Sequence, residues 1–463
     1  MSERRRPAPI DRPVAMTVAG SDSGGGAGIQ ADLKTLEALG TFGTSAITSV
    51  TAQNTQGVDS IHPVPLEEVR AQIESIRSDF AVEGAKTGML GREPVIREMT
   101  THATEMDAPL VVDPVMVAAT GDRLLDPGAE TAYEALIGEA TLVTPNVDEA
   151  EILTGVDVED VDDLHAAGER LREMGAPAAL VKGGHLNTDD GAVRDAFVGP
   201  TETTTFTHPR VDSTATHGSG CTLSSAITAR LAQGDDLLDA VTAGIEFMTR
   251  AVRYPLDVGA GPGSVHHLVS IRDRAAAPST QEAVEDVVAT LVREDARPLV
   301  PEVGMNVVGA TPYAESVEDT VGVEGRISRT ETGIRTTRGT RFGASSHVAR
   351  FLLSAREHDP ALRFAANVRC DAAVASALET LDGPVVEIDR TQEPRADEEG
   401  STMGWAAGRA FEAAADTPVA IVDEGAVGKE PMTRVLATDA QTLTERLLGV
   451  LDALEDRSED NAV

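Results

Sequence analysis

The chain has 463 residues, more than one domain normally holds, and its 41% apolar and 25% charged residues mark it as globular rather than disordered. Against 76 Asp and Glu stand 39 Lys and Arg, a formal charge of −37 that repels nucleic acid and anionic membrane alike. A general nucleic-acid or membrane binder is therefore excluded from the expectations. Such a charge destabilises a compact state in dilute buffer but is screened within about 3 Å in ~1 M salt, so the composition points to a halophilic, salt-rich cytoplasm. Lysine is almost absent from the basic residues, with only Lys34, Lys86, Lys182 and Lys429 among them. The two cysteines, Cys221 and Cys370, are too few for a disulfide framework and too far apart for a metal-ligand pair, which suits a reducing compartment. No long apolar region follows the arginines near the start and no run approaches about 18 apolar residues, so a cytoplasmic location is expected.

In chain order, Val14 to Ala19 reads as a strand, Ile29 to Leu39 as a helix, and Leu110 to Val112, Leu142 to Thr144 and Ala178 to Val181 as strands. This alternation predicts an α/β fold with a mostly parallel sheet covered by helices. Leu223, Ile227 and Leu231 recur every four residues before Gly234, which puts Cys221 at a helix start. Around Ser270 to Gln281 small and polar residues and a proline replace the periodic pattern. We therefore expect a first domain over 14–270, a linker over 271–282 and a second, smaller α/β domain over 283–456. Its helices are expected over 344–356, 371–381, 403–415 and 440–454, with strands near 384–388 and 418–422.

Directly after the first strand comes GSDSGGGAGIQADLK, residues 20–34. Its glycines allow backbone to approach a ligand, although a tight strand-to-helix turn accounts for them equally well. THGSGCT, residues 216–222, opens a helix, where the amides of Gly218, Ser219 and Gly220 and the helix dipole suit a transferring phosphoryl group. Cys221 follows in the first turn, where a thiol loses pKa and can act as a base, unless it is simply a small buried residue. In TPNVDEAE, Asn146 and Glu149 can hold Mg²⁺ through water, or can form a helix cap. Lys182 in LVKGGH lies at a strand end and suits phosphate. Asp113 in VVDPVM also ends a strand, as a turn residue would.

GSDSGGGAGIQADLK, TAQNTQGV, KTGML, DPVM, TPNVDEAE, VKGGH and THGSGCT, in this order over residues 14 to 268, resemble the hydroxymethylpyrimidine and hydroxymethylpyrimidine-phosphate kinases of the ribokinase-like group. The resemblance implies a ribokinase-like fold with helices on both faces of its sheet, ATP and Mg²⁺, and two successive phosphorylations of 4-amino-5-hydroxymethyl-2-methylpyrimidine. It places Gly218, Ser219 and Gly220 at the anion hole and Cys221 near the accepting hydroxyl. Lys182, Asn146 and Glu149 fall on the ATP and magnesium side, and Gly20, Ala27, Asp32, Gln53 and Met89 around the pyrimidine. Some relatives carry Glu in place of Gln53, but an amide can both donate and accept at an aminopyrimidine edge. Pyridoxal kinase is the nearest competitor within the fold.

In the second half, residues 326, 329, 335, 338, 341 and 350 are arginines against the single acid Glu331, a local charge of about +5. An anionic ligand accounts for such an island, as does a solvated face paired with acids from elsewhere. DEGAVGKEP, residues 423–431, lacks the spacing and the Ser or Thr of a P-loop. PEVGMNVV, VEGRI, RFGASSHVAR and DEGAVGKEP, over about 283 to 456, resemble the archaeal-type thiamine-phosphate synthase domain. That resemblance implies coupling of the pyrimidine diphosphate to 4-methyl-5-(2-phosphoethyl)thiazole with release of pyrophosphate. It places Arg326 and His347 at the centre, Arg341 and Lys429 on phosphate, and Asn306 on a ligand. Together the two resemblances imply a bifunctional enzyme of thiamine biosynthesis acting on small molecules, with neither nucleic acid nor membrane expected as partner and a homo-oligomer, a dimer by preference, expected as its assembly. The alternative is a kinase whose second half is a non-catalytic module sensing thiamine phosphate.

Overall fold

The computed structural model describes residues 10–116, 129–184, 186, 190–213, 215–390, 401–425 and 431–460. The chain forms two compact units that divide between Val269 and Ser270. The stretch expected as a linker, 271–282, is helical, because the helix Val269–Arg293 runs through it with Pro278 in its interior. Ala275, Ala276 and Ala277 there are strong helix formers, and the apolar stripe of Val284, Val287, Val288 and Leu291 continues the same helix into the second core.

In the first unit, strands β1 (Val14–Ala19), β2 (Phe42–Ile47), β5 (Val82–Thr87), β6 (Leu110–Val112), β7 (Leu142–Val143), β8 (Ala179–Val181), β9 (Ala192–Val198) and β10 (Thr203–Pro209) make one sheet. Its order is β10-β9-β8-β7-β6-β5-β1-β2, parallel from β8 to β2 and antiparallel at β9 and β10. A separate hairpin, β3 (Ser49–Asn54) with β4 (Gly57–Pro63), stands apart from the sheet. The central strands are short apolar runs because both of their faces are covered. Val112, Val143 and Val181 face a core closed by helices such as Glu93–Thr104 and Val161–Glu173. Their neighbours Val111, Leu142 and Leu180 face Leu223, Ile227 and Val241 on the opposite side.

The second unit repeats this logic with a mainly antiparallel sheet. Strands β11 (Val307–Ala310), β12 (Thr320–Val323), β15 (Thr340–Phe342), β16 (Phe364–Val368), β17 (Val385–Ile388), β18 (Ala420–Asp423) and β19 (Met432–Ala437) lie in the order β15-β12-β11-β16-β19-β18-β17. A hairpin of β13 (Ile327–Thr330) and β14 (Gly333–Thr336) follows β12. Successive residues again serve two cores, Val307, Ala366 and Val435 on one face and Val308, Ala365 and Leu436 on the other. Among the described residues no helix is long and apolar enough to cross a membrane.

Candidate active site

A cleft of about 550 Å³ runs along the carboxyl ends of the parallel strands in the first unit. Five of the six parallel strands deliver a residue to it where the backbone leaves the sheet: Gly20 after β1, Met89 after β5, Asp113 after β6, Asn146 after β7 and Lys182 after β8. Gln53 from the β3–β4 hairpin and Gly218 to Cys221 from the start of the helix Ser219–Ala232 complete it. Of the residues expected from sequence in this unit, Gly20, Ala27, Gln53, Met89, Asn146, Glu149, Lys182, Gly218, Ser219, Gly220 and Cys221 line one cavity.

Asp32 does not line it. Its carboxylate is fully buried below the cleft, accepting from Thr17 Oγ1 at 2.6 Å, Lys86 Nζ at 2.9 Å and Ser225 Oγ at 2.8 Å. With both oxygens engaged, it ties three elements together and has no contact left for a substrate. Other residues of its motif line the cleft, but the helix Gly28–Ala38 turns this position inward.

At one end of the cavity Lys182 Nζ pairs with Asp113 Oδ1 at 3.1 Å, and Thr144 Oγ1 donates to the same oxygen at 3.2 Å. Burial works to lower the pKa of Lys182, but the carboxylates of Asp113 and Glu149 carry it above the ordinary lysine value. The helix start crowds against this pair, since a Cβ on Gly220 would lie 3.3 Å from Lys182 Nζ. Asn146 and Glu149 form a capping box, each side chain accepting from the other's backbone amide at 2.9 Å. The helix-cap reading of that pair therefore holds, while Glu149 still lines the cavity. Burial pushes Glu149 up to about 7; the nearby Lys182 pulls it down, and the Asp113 charge adds to the rise.

The helix start differs from expectation in two respects. Ser219 N–H donates to Thr216 O at 3.0 Å, which closes the turn and removes that amide from the anion hole. Among the described residues no backbone carbonyl accepts from the amides of Gly220 and Cys221, which remain for an anion. Cys221 does not lose pKa: burial pushes its thiol up to about 12, against the pull of the Lys86 ammonium and of the Gly28 amide that donates to its sulphur. The carboxylates of Asp32 and Asp113 add to the rise.

At the other end a Cβ on Gly20 would overlap Met89 Cε, so the glycine brings backbone against that side chain. Asp22, which sequence reasoning passed over, organises the glycine loop by accepting from the amides of Gly24 at 2.8 Å, Gly26 at 2.9 Å and Ala27 at 2.7 Å. Lys34 closes the same loop by donating to Gly25 O at 2.6 Å. His217 was missed as well, and its Nε2 lies 3.3 Å from Asp22 Oδ2. The available signal was an Asp two residues into a glycine run, where its side chain can reach several amides.

In the second unit the six island arginines are all exposed. Arg338 and Arg341 lie 3.3 and 3.6 Å from Glu324, and Arg326 and Arg329 donate to the carbonyls of Val303 and Val300, so backbone and a local acid absorb part of the charge. His347 is exposed in the first turn of the helix Ser346–His358. Among the described residues no hydrogen bond or ion pair joins Arg326 to His347. Asn306 is a correction, because its side chain is buried and spent on structure. It donates to Val323 O at 2.9 Å and Gly325 O at 3.1 Å and accepts from Val323 N–H at 3.0 Å, fixing the backbone that leads into Arg326. Lys429 lies outside the described residues. Sequence reasoning also passed over Asp423, buried at the end of β18, which accepts from Arg390 Nε at 2.7 Å and Arg434 Nη1 at 3.3 Å. Burial alone would raise Asp423, but the two guanidinium groups hold it below the usual carboxylate range.

Compared with known families, residues 22–266 match the model described as phosphomethylpyrimidine kinase, and residues 283–449 match that of thiamine-phosphate synthase ThiN. The hydroxymethylpyrimidine/phosphomethylpyrimidine kinase of Haemophilus influenzae is 44% identical over 256 residues, which are 54% of this chain and 95% of that protein. The thiamine biosynthesis bifunctional protein ThiED of Geobacter sulfurreducens is 45% identical over 270 residues, 58% of this chain and 55% of that protein. Among solved structures, Bacillus subtilis pyridoxal kinase in an ADP complex superposes with a TM-score of 0.52 at 33% identity, covering 56% of this chain and 98% of that one. The fold of the first unit is thus ribokinase-like, and the chain belongs to the phosphomethylpyrimidine kinase family, with a thiamine-phosphate synthase domain of the ThiN type behind the kinase.

Proposed function

We propose that the first unit transfers the γ-phosphoryl group of ATP to 4-amino-5-hydroxymethyl-2-methylpyrimidine and then to the resulting monophosphate. In this reading the second unit joins the diphosphate to 4-methyl-5-(2-phosphoethyl)thiazole. The observation that carries it is one cavity holding Gly20, Gln53 and Met89 together with Lys182, Glu149 and the start of the Ser219–Ala232 helix. A ring held among the former presents its hydroxyl to a phosphate held by the latter. The ADP complex of the B. subtilis relative supports an adenine nucleotide as donor.

In the first phosphorylation the hydroxyl oxygen bonds to the γ-phosphorus, and in the second an oxygen of the monophosphate does; each time the bond to the β–γ bridging oxygen breaks and ADP leaves. The amides of Gly220 and Cys221 and the Lys182 ammonium face the charge on the transferring group. A thiol held near 12 is not a ready base, and a loose phosphoryl transfer asks little of one. Cys221 therefore orients the accepting hydroxyl, whose proton passes to solvent. Asp113 and Glu149 beside Lys182 form a hard-oxygen donor set that fits Mg²⁺ held through water. Bound there, the ion would neutralise phosphate charge.

In the second unit, Arg326 and His347 would form the central pair that meets the departing pyrophosphate, with Arg341 and Lys429 as weaker phosphate contacts; loss of pyrophosphate leaves a cation that the electron-rich pyrimidine stabilises. The reading also takes residues 14–270 and 283–456 as the two domains, small molecules as the only partners, the cytoplasm as location and a homodimer as assembly. Incubation with the hydroxymethylpyrimidine, ATP and Mg²⁺ should yield the monophosphate and then the diphosphate by mass spectrometry. Phosphorylation of pyridoxal with none of the pyrimidine would overturn the substrate assignment.

A further inference from the structure

Of the three lysines in the first unit, Lys34 is exposed and Lys182 lines the cleft, whereas Lys86 is fully buried. Its ammonium donates to Asp32 Oδ1 at 2.9 Å, and both side chains of the pair are sealed from water. Burial works against the charge, but the Asp32 carboxylate, helped by Asp113, carries the pKa of Lys86 above the ordinary lysine value. The core therefore holds a cation. Taking two ions out of water is expensive, and an apolar pair of similar volume holds the same elements at least as well. Stability alone does not account for the pair.

The pair also has a direction. At its negative end Asp32 accepts from Thr17 Oγ1 at 2.6 Å and from Ser225 Oγ at 2.8 Å, on residues that do not line the cleft. At its positive end a Cβ on Gly88 would lie 3.3 Å from Lys86 Nζ, and Gly88 does line the cleft. A glycine there keeps the wall between ammonium and cavity down to backbone. Cys221 lines the same cavity, and at its sulphur the pull of Lys86 outweighs the opposing push of Asp32.

We infer that Asp32 and Lys86 form a buried dipole whose positive end faces the accepting oxygen beside Cys221, and that Lys86 assists phosphoryl transfer through the cleft wall without touching substrate. The inference rests on the kinase reading above. In the first phosphorylation the accepting oxygen sheds its proton to solvent, and in the second it is a phosphate oxygen that already carries charge. Both times a fixed positive end favours that charge with no reorganisation at the moment of reaction. Burial is what makes the effect durable, since ~1 M salt screens exposed charges within about 3 Å but leaves a sealed pair untouched.

The test replaces the pair by neutral residues in the full chain, as Asp32→Asn with Lys86→Met and as Asp32→Leu with Lys86→Leu. Neither double variant leaves a lone buried ion, so each should melt close to the wild type. In both, kcat for phosphorylation of 4-amino-5-hydroxymethyl-2-methylpyrimidine should fall about tenfold, while KM for the pyrimidine and the calorimetric Kd of ADP stay within about twofold of wild type. The loss should not shrink as KCl is raised. Wild-type kcat in either double variant, or melting of both far below the wild type, would make the pair a brace of the fold and overturn the inference, leaving the kinase reading in place. An equal loss of ADP affinity, or a loss of kcat that fades with salt, would overturn it too. A wild type that phosphorylates no pyrimidine would overturn the kinase reading and this inference with it.

Discussion

A Cβ on Gly218 would overlap the carbonyl oxygen of Gly26, so the two glycine-rich motifs of the kinase unit meet backbone to backbone. Gly218 also caps the Ser219–Ala232 helix at φ +83°, a left-handed conformation that a side chain strains. Gly218→Ala should therefore displace the helix start from the glycine loop. We expect about a 10²-fold fall in kcat for phosphorylation, the scale of an ångström-sized misplacement of reacting groups. Coupling of supplied pyrimidine diphosphate should persist, and steady-state assay of both activities checks this.

Asp32 lies beneath the cleft in a pair with Lys86 in which both side chains are fully buried. Asp32→Ala leaves an ammonium sealed without its partner and should cost about 3–5 kcal/mol of stability. Urea denaturation of the wild type and the variant measures the loss. A variant of normal stability with a raised KM for the pyrimidine would return Asp32 to the substrate site.

Glu149 titrates near 7, above the ordinary glutamate value, because burial disfavours its charge. The folded chain therefore holds this proton more tightly than the unfolded chain, and the group's contribution to stability is lost as pH rises from about 4.5 through about 7. Glu149→Gln should raise the melting temperature above pH 7 and leave it nearly unchanged near pH 4.5. On the proposed reading activity runs the opposite way, since the metal and nucleotide would need a carboxylate beside them. The kcat/KM for ATP with Mg²⁺ should climb between about pH 6 and 8 in the wild type and flatten in Glu149→Gln.

With its thiol near 12, Cys221 is almost entirely protonated at pH 8. Iodoacetamide should modify it far more slowly than a free cysteine of pKa about 8.5, as peptide mass mapping over time would show. Cys221→Ala should cripple phosphorylation while coupling of supplied diphosphate continues. Rapid alkylation in the free chain would restore the ready thiolate that its place in the first helical turn suggests.

Much of this was legible in the sequence because strand ends deliver motif residues directly. VVD, TPN and VKG each follow an apolar run, and the backbone that leaves the sheet there has only one edge to occupy. What stayed hidden depended on which way a side chain turns. Asp32 and Asn306 lie in ligand-like motifs, but helix and strand registers direct them into buried hydrogen-bond networks. His217 precedes the glycines at the helix start, and its partner Asp22 comes from a loop far away in sequence. Ser219 looked like an anion donor until the turn to Thr216 was seen to consume its amide. Residues 271–282 read as a break because Pro278 and small residues obscure a helix whose apolar stripe begins only at Val284.

The most direct test supplies the full chain, in high salt, with the hydroxymethylpyrimidine, ATP, Mg²⁺ and thiazole phosphate, and follows products by mass. The account predicts the pyrimidine monophosphate, then the diphosphate, then thiamine phosphate with release of pyrophosphate. Phosphorylated pyrimidine without thiamine phosphate would contradict a catalytic second unit, and no phosphorylation at all would contradict the whole account.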